Sequence, residues 1–541
     1  MNKIIHCFTI LAVIFFGQNV PAQESTLERN LKKHISFLAD DKLEGRRAGT
    51  VGEQKAMVYI AGQFKKSGLR PKGVKEYLQP FEINEGKRMG DGAYLQIGDK
   101  KLISGQDYFM LPYSGTRTFD FIYTNQSTTK NHLFVSIDSI LTQANSNPHF
   151  DATEALYKKA LDAEQNGASA IFFYNSTNQD DLRFNKRDKS APLKIPVVYL
   201  NGNTYKHYVD LVGQTKIKGK AEIVNDIRTG HNVVGYIDNK AKHTVILGAH
   251  FDHLGYGEDG NSMLRTGEQL IHNGADDNAS GTAALIELAS LLKKSNFKNN
   301  NYLFIAFSGE ELGLYGSKYF VENPTIDLNK VNYMINMDMV GRLNDSTKTL
   351  TIGGYGTSPS WSQVIKENSK NGFSIKIDSS GSGPSDHTSF YRKDIPVLFY
   401  FTGLHHDYHK PSDDYDKINY KGEALIIQNI YDVVKQLNNS PKLAFLKTRE
   451  VQVSTTSFKV TMGIMPDYTF SGEGVKADGV TDGRPAAKAG IKGGDIVLGL
   501  GDYPIHDMES YMKALNKFKK GDTTTVKFKR GDEIMKAEIT F

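Results

Sequence analysis

Three short apolar runs set the reading of this chain: Thr244-Val245-Ile246-Leu247, Tyr302-Leu303-Phe304-Ile305-Ala306-Phe307 and Val331-Asn332-Tyr333-Met334-Ile335. Each is nearly continuous and is followed at once by polar residues, the pattern of parallel strands buried on both faces. Pro396-Val397-Leu398-Phe399-Tyr400-Phe401 is a fourth run of this kind. Between the first two, Asp277-Asn278-Ala279-Ser280-Gly281 opens into Thr282-Ala283-Ala284-Leu285-Ile286-Glu287-Leu288-Ala289, a stretch rich in helix formers. Strands alternating with helices predict an α/β fold with a mixed, largely parallel sheet flanked by helices. In such sheets, residues far apart in sequence meet in a crevice at the C-terminal ends of the strands.

The polar residues that follow these strands are chemically selective. They are His250-Phe251-Asp252-His253, Gly274-Ala275-Asp276-Asp277-Asn278, Gly309-Glu310-Glu311-Leu312, Asn336-Met337-Asp338-Met339 and Tyr408-His409. Two divalent ions held close together need neutral imidazoles and ionised carboxylates, one carboxylate shared between them, and a further carboxylate to take a proton from water. His250, Asp277, Glu311, Asp338 and His409 supply such ligands, and Glu310 supplies the base. A lone His-x-Asp or Glu-Glu pair is ordinarily solvated surface; five such stretches in order are not. Spacing leaves two points open, since Asp276 adjoins Asp277 and since His405 and His406 compete with His409. Asp386 and His387 also stay open, because Asp386 either caps a helix running through Phe390 or faces the site.

The motifs His250-x-Asp252, Gly274-Ala275-Asp276-Asp277-Asn278-x-Ser280-Gly281, Ser308-Gly309-Glu310-Glu311-x-Gly313-Leu314-x-Gly316-Ser317, Asp338-Met339, Ser385-Asp386-His387-x-Ser389-Phe390 and His409-x-x-x-Asp413 resemble the co-catalytic zinc aminopeptidases. That family includes bacterial leucyl aminopeptidases, with relatives among glutamate carboxypeptidases and glutaminyl cyclases. The resemblance implies a zinc-peptidase α/β/α sandwich holding two Zn2+ per chain. It makes Asp277 the bridging carboxylate, because the family's bridging residue directly precedes the Asn or Asp that opens the helix. His250 and Asp338 then hold one ion, and Glu311 and His409 the other. His409 is preferred because Pro411 and Asp413 follow it at the family's spacing. Asp252 would orient His250 from behind, Tyr408 matches a tyrosine that donates to the oxyanion in some members, and Glu310 would be the general base for a bridging hydroxide. The implied activity is hydrolysis of N-terminal peptide bonds. Alternatives are a glutaminyl cyclase, which uses one zinc, a carboxypeptidase on the same scaffold, or a catalytically inert peptide-binding protein.

The motif-bearing part is less than half the chain, so several domains are expected. Leu31 to Leu69, with Gly45-Arg46-Arg47, resembles the family's opening helices, so the peptidase domain starts early and is interrupted. The expected order is a peptidase part at 23–96, an insertion at 97–230, the catalytic part at 231–440 and a last domain at 441–541. In the insertion, the helix-then-strand pattern from Ala160 to Tyr174 and the run Ile195-Pro196-Val197-Val198-Tyr199-Leu200 resemble an α/β protease-associated (PA) domain. In the last domain, Ser471-Gly472-Glu473-Gly474-Val475, Pro485-Ala486-Ala487-Lys488-Ala489-Gly490-Ile491, a helix around Ser510 to Phe518 and a final strand pair resemble a small, mainly β PDZ domain. Such a domain takes peptides by strand addition. Met462-Gly463-Ile464-Met465 occupies the position of its carboxylate loop. The apparent linker is Asn438-Asn439-Ser440-Pro441-Lys442.

Met1-Asn2-Lys3, the apolar stretch Ile4 to Phe16 and Val20-Pro21-Ala22 read as a signal peptide over 1–22, too short for a comfortable membrane span. The single cysteine, Cys7, lies within it, so the exported chain is expected to be free of disulfides and to work in a bacterial periplasm or outside the cell. A formal net charge of +5 over 541 residues is too dilute to argue for nucleic acid. The sequence has no His-Glu-x-x-His helix, phosphate-binding loop or Gly-x-Ser-x-Gly elbow, which removes three rival chemistries. The expected partners are peptide substrates and a peptide ligand of the PDZ domain, with no nucleic acid and no integral membrane segment after cleavage.

Overall fold

The computed structural model describes residues 25–124, 132–146, 150–176, 182–186, 188–210, 212, 214–264, 266–366, 372–448, 460–466, 472–480, 483–506 and 508–541. The signal peptide expected at 1–22, with Cys7, lies outside the described residues, as does the stretch 449–459 within the PDZ region expected at 441–541. The chain divides into two compact units, one made of Met1–Gln79 with His231–Phe541 and the other of Pro80–Gly230.

The first unit is built on β1 (Arg70–Pro71), β2 (Ile223–Ile237), β3 (His243–His250), β4 (Asn300–Phe307), β5 (Val331–Met337), β6 (Thr349–Gly353), β7 (Ser374–Ile377) and β8 (Val397–Phe401). Their order across the sheet is β1-β2-β4-β3-β5-β8-β6-β7. The four central strands β4, β3, β5 and β8 are parallel. Antiparallel pairs lie on both sides of them, at β2–β4 and β8–β6. Hence the mixed, largely parallel sheet read from the sequence is the one observed. From β3 the chain goes to β4 on one side and then to β5 on the other. The order therefore reverses beside β3, where open α/β sheets form their crevice.

Side chains along the central strands alternate between two cores. Val245, Leu247, Tyr302, Phe304, Tyr333 and Ile335 pack with α1 (Thr26–Leu38), α2 (Val51–Lys66), α3 (Gly281–Lys294) and α6 (Tyr420–Leu437). Ile246, Leu303, Ile305 and Met334 pack on the other face with Phe320 of α4 (Tyr315–Glu322) and Phe390 of α5 (His387–Tyr391). With helices on both faces, no position in β4 or β5 is left to water, which is why these strands read as continuous apolar runs. Side-chain oxygens of Ser25, Thr50 and Asn419 accept the first free N–H groups of α1, α2 and α6. Among the described residues no helix is long and apolar enough to cross a membrane.

The C-terminal part of this unit carries a small sheet of β9 (Ile464–Pro466), β10 (Val475–Val480), β11 (Ile496–Leu500), β12 (Thr523–Arg530) and β13 (Glu533–Thr540), in that order, with Tyr503–Pro504 beside β11. A helix at Met508–Leu515 covers it. In the unit Pro80–Gly230, one sheet is antiparallel throughout. The other joins His132–Ser136, Ala170–Tyr174 and Val197–Leu200 in parallel, with the helix Ala152–Gln165 packed against it. This unit begins at Pro80, ahead of the boundary expected at residue 97, because Tyr94–Ile97 is itself a strand of its antiparallel sheet.

The linker expected at Asn438–Lys442 does not end the peptidase packing. Leu443 is buried in the main core and its N–H donates to Asn332 Oδ1 at 2.9 Å. Phe445 packs on the second core, Leu446 N donates to the Thr357 carbonyl, and the Thr448 main chain and hydroxyl meet the Tyr391 hydroxyl at 3.0 and 3.1 Å. A chain ended after Thr448 is therefore expected to melt several degrees above one ended after Lys442. Burial of Leu443 alone contributes about 1.5–3 kcal/mol, and thermal unfolding of the two truncations checks this.

Candidate metal centre

The five sequence-selected stretches meet at the C-terminal ends of β3, β4 and β5. His250 ends β3, and its Nε2 lies 3.4 Å from Asp277 Oδ1 and 3.3 Å from Asp338 Oδ1. On the other side of Asp277, His409 Nε2 lies 3.2 Å from Asp277 Oδ2 and 3.2 Å from Glu311 Oε2. Asp277 thus presents one oxygen to each imidazole. Glu310 Oε2 is 3.9 Å from His250 Nε2, close to the cluster without joining either trio. The donor types and spacings fit two divalent cations: donor atoms of His250, Asp277 and Asp338 lie within 4.8 Å of one another, as do those of His253, Asp277 and Glu311.

The alternatives left open by spacing separate in space. Asp276 turns away from the cluster and accepts from Gly341 N and Ser280 Oγ at 2.7 and 3.1 Å, with His405 Nε2 at 3.1 Å. His406 is exposed. Asp252 differs from expectation: its carboxylate is 3.7 Å from His250 Nδ1, beyond a hydrogen bond, and Nδ1 faces the Asp252 carbonyl at 3.2 Å instead. The Asp252 carboxylate accepts the Glu310 N–H at 3.1 Å, so it holds the β4 loop. Tyr408 stacks on His409 with ring centroids 3.9 Å apart. Asp386 precedes α5 without a capping hydrogen bond, and His387 stacks on Phe399.

Other residues tie the ligand loops together. Asn278 Oδ1 accepts the N–H groups of Gly281 and Met339, and its amide donates to the Met337 carbonyl, joining the start of α3 to the loop that carries Asp338. Ser385 donates to Asp338 Oδ2 at 2.8 Å and accepts from Asn336, fixing that carboxylate. Asp413 Oδ2 accepts the N–H groups of both Asp276 and Asp277. Arg46, wholly buried, donates to the carbonyls of Leu38, Phe251, Asn273 and Gly274 and so clamps two ligand loops to each other. The sequence motifs contain Ser385, Asp413 and Arg46, but these bonds run between distant segments. His253 lies outside the ligand set that the family resemblance implies, yet its Nδ1 lies 2.7 Å from Glu311 Oε1.

The side chains enclose a cavity of about 270 Å³ with a carboxylate floor, walled by Met263, Met339, Phe399, Phe401, Leu404 and Ile464. Burial alone would lower His250, but Asp338, Glu310, Asp252 and Asp277 together hold it well above its usual value; Glu311 and Asp277 do the same for His409 against its own burial. Burial pushes Glu311 up, but His409 and His253 pull it down to about 2. For Glu310, burial with Glu311, Asp338 and Asp386 outweighs His250 and holds the carboxyl well above the usual range. Burial pushes Asp386 up to about 7 and His387 down to about 3. Metal ligands must give up protons, so imidazoles with raised values release them on zinc uptake. Apparent zinc affinity should therefore climb as pH rises through the raised values and fall as pH drops below them. Calorimetric titration in two buffers of different ionisation heat should show net proton release at neutral pH.

Residues 232–434 match the family model of peptidase family M28, and residues 453–541 match that of the PDZ domain. Leupeptin-inactivating enzyme 1 of Streptomyces exfoliatus is 35% identical over 161 residues, covering 28% of this chain and 35% of that protein. Aminopeptidase YwaD of Bacillus subtilis is 28% identical over 309 residues, covering 52% of this chain and 60% of that protein. The chain thus spans about half the length of the curated relatives it matches. Among solved structures, the zinc aminopeptidase BSAP from Bacillus subtilis aligns over 78% of this chain and 96% of its own at 22% identity and a TM-score of 0.44. The family match contains His250, Asp277, Glu310, Glu311, Asp338 and His409, so the cluster at the ends of β3, β4 and β5 is the centre of a peptidase family M28 domain, which this chain carries together with a C-terminal PDZ domain.

Proposed function

We propose that the chain is an exported zinc-dependent aminopeptidase that removes N-terminal residues from peptides in the periplasm or outside the cell, with an inserted PA-like domain at 80–230. The observation that carries the peptidase reading is the pair of donor groups sharing Asp277. In this reading Asp277 would be shared by two zinc ions, His250 and Asp338 would hold one, and Glu311 and His409 would hold the other. Bound zinc would supply Lewis-acid charge and lower the pKa of water toward about 7. Glu310 takes the proton of the attacking water and returns it to the leaving amine; a carboxyl raised by burial is suited to hold a proton near neutrality. Tyr408 is kept protonated by burial and by Asp277 and Glu311, so it can donate to the oxyanion.

The cavity favours an aminopeptidase over a carboxypeptidase, because among its described lining residues there is no Lys or Arg to receive a substrate carboxylate. A free amine, by contrast, meets Asp378, a lining carboxyl outside the proposed ligand set. The two donor groups favour two ions over the single zinc of a cyclase. Ile464 and Pro466 of β9 also line the cavity, and β9 is the terminal strand of its sheet. The peptide downstream of the cut is read as adding along that edge.

Four outcomes are expected. Purified protein should hold two zinc ions and hydrolyse peptides with a free N-terminus but not N-acetylated ones, with leucyl and phenylalanyl substrates preferred over aspartyl ones by at least about tenfold. Glu310→Gln should keep both metals and lose about two to four orders of magnitude in kcat. Asp277→Ala should lose both ions. Truncation after Thr448 should spare small aminoacyl substrates and abolish any advantage of longer peptides. A single zinc with cyclisation of glutaminyl peptides would replace this reading.

A further inference from the structure

The stretch 255–263, which leaves the end of β3, touches both unshared ligands of one metal position. The Asn261 side-chain amide donates to the Glu311 carbonyl at 2.7 Å, and the Asn261 carbonyl accepts the Nδ1–H of His409 at 2.9 Å. Two residues on, the Met263 N–H donates to the His409 carbonyl at 2.9 Å. A carbonyl can only accept, so its bond to Nδ1 keeps the proton there and leaves the Nε2 lone pair turned to Asp277 and Glu311. His409 is thereby held at ring and main chain together. Its φ of +53° is a conformation that residues with side chains rarely adopt, and one that persists only where neighbours enforce it. Glu311 is held at both ends as well: His253 Nδ1 donates to Oε1 at 2.7 Å and Asn261 binds its carbonyl, so Oε2 stays turned to His409.

This stretch is a strap latched on either side of Asn261. Before it, Arg47 donates through Nε and Nη2 to Asp259 Oδ2 and Oδ1 at 2.7 and 2.8 Å, a bidentate pair with side chains only 14% and 13% exposed. After it, the Ser262 hydroxyl donates to His272 Nε2 at 2.7 Å, while His272 Nδ1 donates to the Leu270 carbonyl at 2.9 Å. The position of Asn261 is therefore set by contacts that need no metal. The supports of the other metal position lie elsewhere, since His250 Nδ1 faces the Asp252 carbonyl and Asp338 is fixed by Ser385.

We infer that Asn261 is a positioning residue for the metal position formed by Asp277, Glu311 and His409, and that it holds both unshared ligands from the strap latched by Arg47 and Asp259. This rests on the two-zinc reading above. Without the Asn261 amide the strap is no longer tied to Glu311, its carbonyl leaves His409 Nδ1, and the imidazole is free to turn. Zinc at this position is then bound more weakly, while the ion at His250 and Asp338 keeps its supports.

Zinc binding to the full chain, measured by competition with a chelator of known affinity, tests this in wild type, Asn261→Ala, Asn261→Asp and Asp259→Asn. Asn261→Asp keeps the size and loses the donor; Asp259→Asn weakens the latch without touching a ligand. Wild type should bind two ions, and both Asn261 variants should bind one of the two about 10- to 100-fold more weakly. Asp259→Asn should shift the same ion in the same direction by less. Anomalous scattering from variant crystals grown at limiting zinc should place the retained ion at His250, and excess zinc should restore kcat with KM for a small aminoacyl substrate unchanged. Two ions bound with wild-type affinity by both Asn261 variants would overturn the inference and leave the two-zinc reading intact, as would variants whose metal-free form melts lower while zinc affinity stays the same. A single ion in wild type would end the two-zinc reading; the inference then stands if that ion lies at His409 and Asn261→Asp weakens it, and falls otherwise. Should neither Asn261 variant fold, Asp259→Asn decides: weaker zinc binding upholds the inference and unchanged binding overturns it.

Discussion

The structure is governed by the burial of negative charge. Asp252 just after β3, Asp277 just before α3 and Asp386 just before α5 are buried, beside the half-buried Glu310, Glu311 and Asp338. A buried carboxylate without compensation costs several kcal/mol. Protons compensate part of this, as the raised values of His250, His409 and Glu310 record. Arg46 contributes a further cation, although its own burial lowers it to about 10. Divalent cations would neutralise the same carboxylates while keeping them ionised, so the features that strain the protein alone are those that give it affinity for metal.

Such a cluster has to be held open against its own repulsion, and the holding is done by hydrogen bonds of neutral side chains, of Asp252 and of Arg46. Ser385 fixes Asp338, Asn278 joins the Asp277 and Asp338 loops, and the N–H of Glu310 is bound by Asp252. Arg46 reaches four carbonyls from one fork, a geometry that a lysine ammonium does not reproduce. Apart from the Arg46 bond to Leu38, these bonds cross between segments more than forty residues apart, so the ligand positions depend on the whole sandwich and not on any one loop.

The strands that position the site were legible because helices cover both of their faces, which leaves a continuous apolar run in the sequence. The ligand types were legible for a related reason: a carboxylate or imidazole directly after such a run has few roles other than chemistry. What escaped was set by three-dimensional approach. The Asp252 carboxylate bonds a main-chain N–H, and any acceptor reads alike for that in sequence. His253 lies between a glycine and a glutamate supplied by two other loops. The polar stretch 438–442 read as a boundary, but the next residues, Leu443 and Phe445, return to the two cores; six residues are too few to show a periodicity.

In the proposed reading the sign of the charge along the cavity would decide how a peptide sits in it. The floor is acidic, the walls are apolar, and the guanidinium nearest the cluster, Arg46, is turned to main-chain carbonyls behind it. In the reading proposed above the carboxylates that hold metal are neutralised by it, so a substrate ammonium would meet Asp378, the lining carboxyl outside the ligand set and the base. The apolar walls add to affinity without distinguishing the two ends of a chain. In the same reading direction would be carried by Asp378, and specificity for the first side chain by Phe399, Phe401 and Leu404. In that reading a substitution among the metal-binding carboxylates would alter metal content, whereas one in the walls would alter the choice of residue.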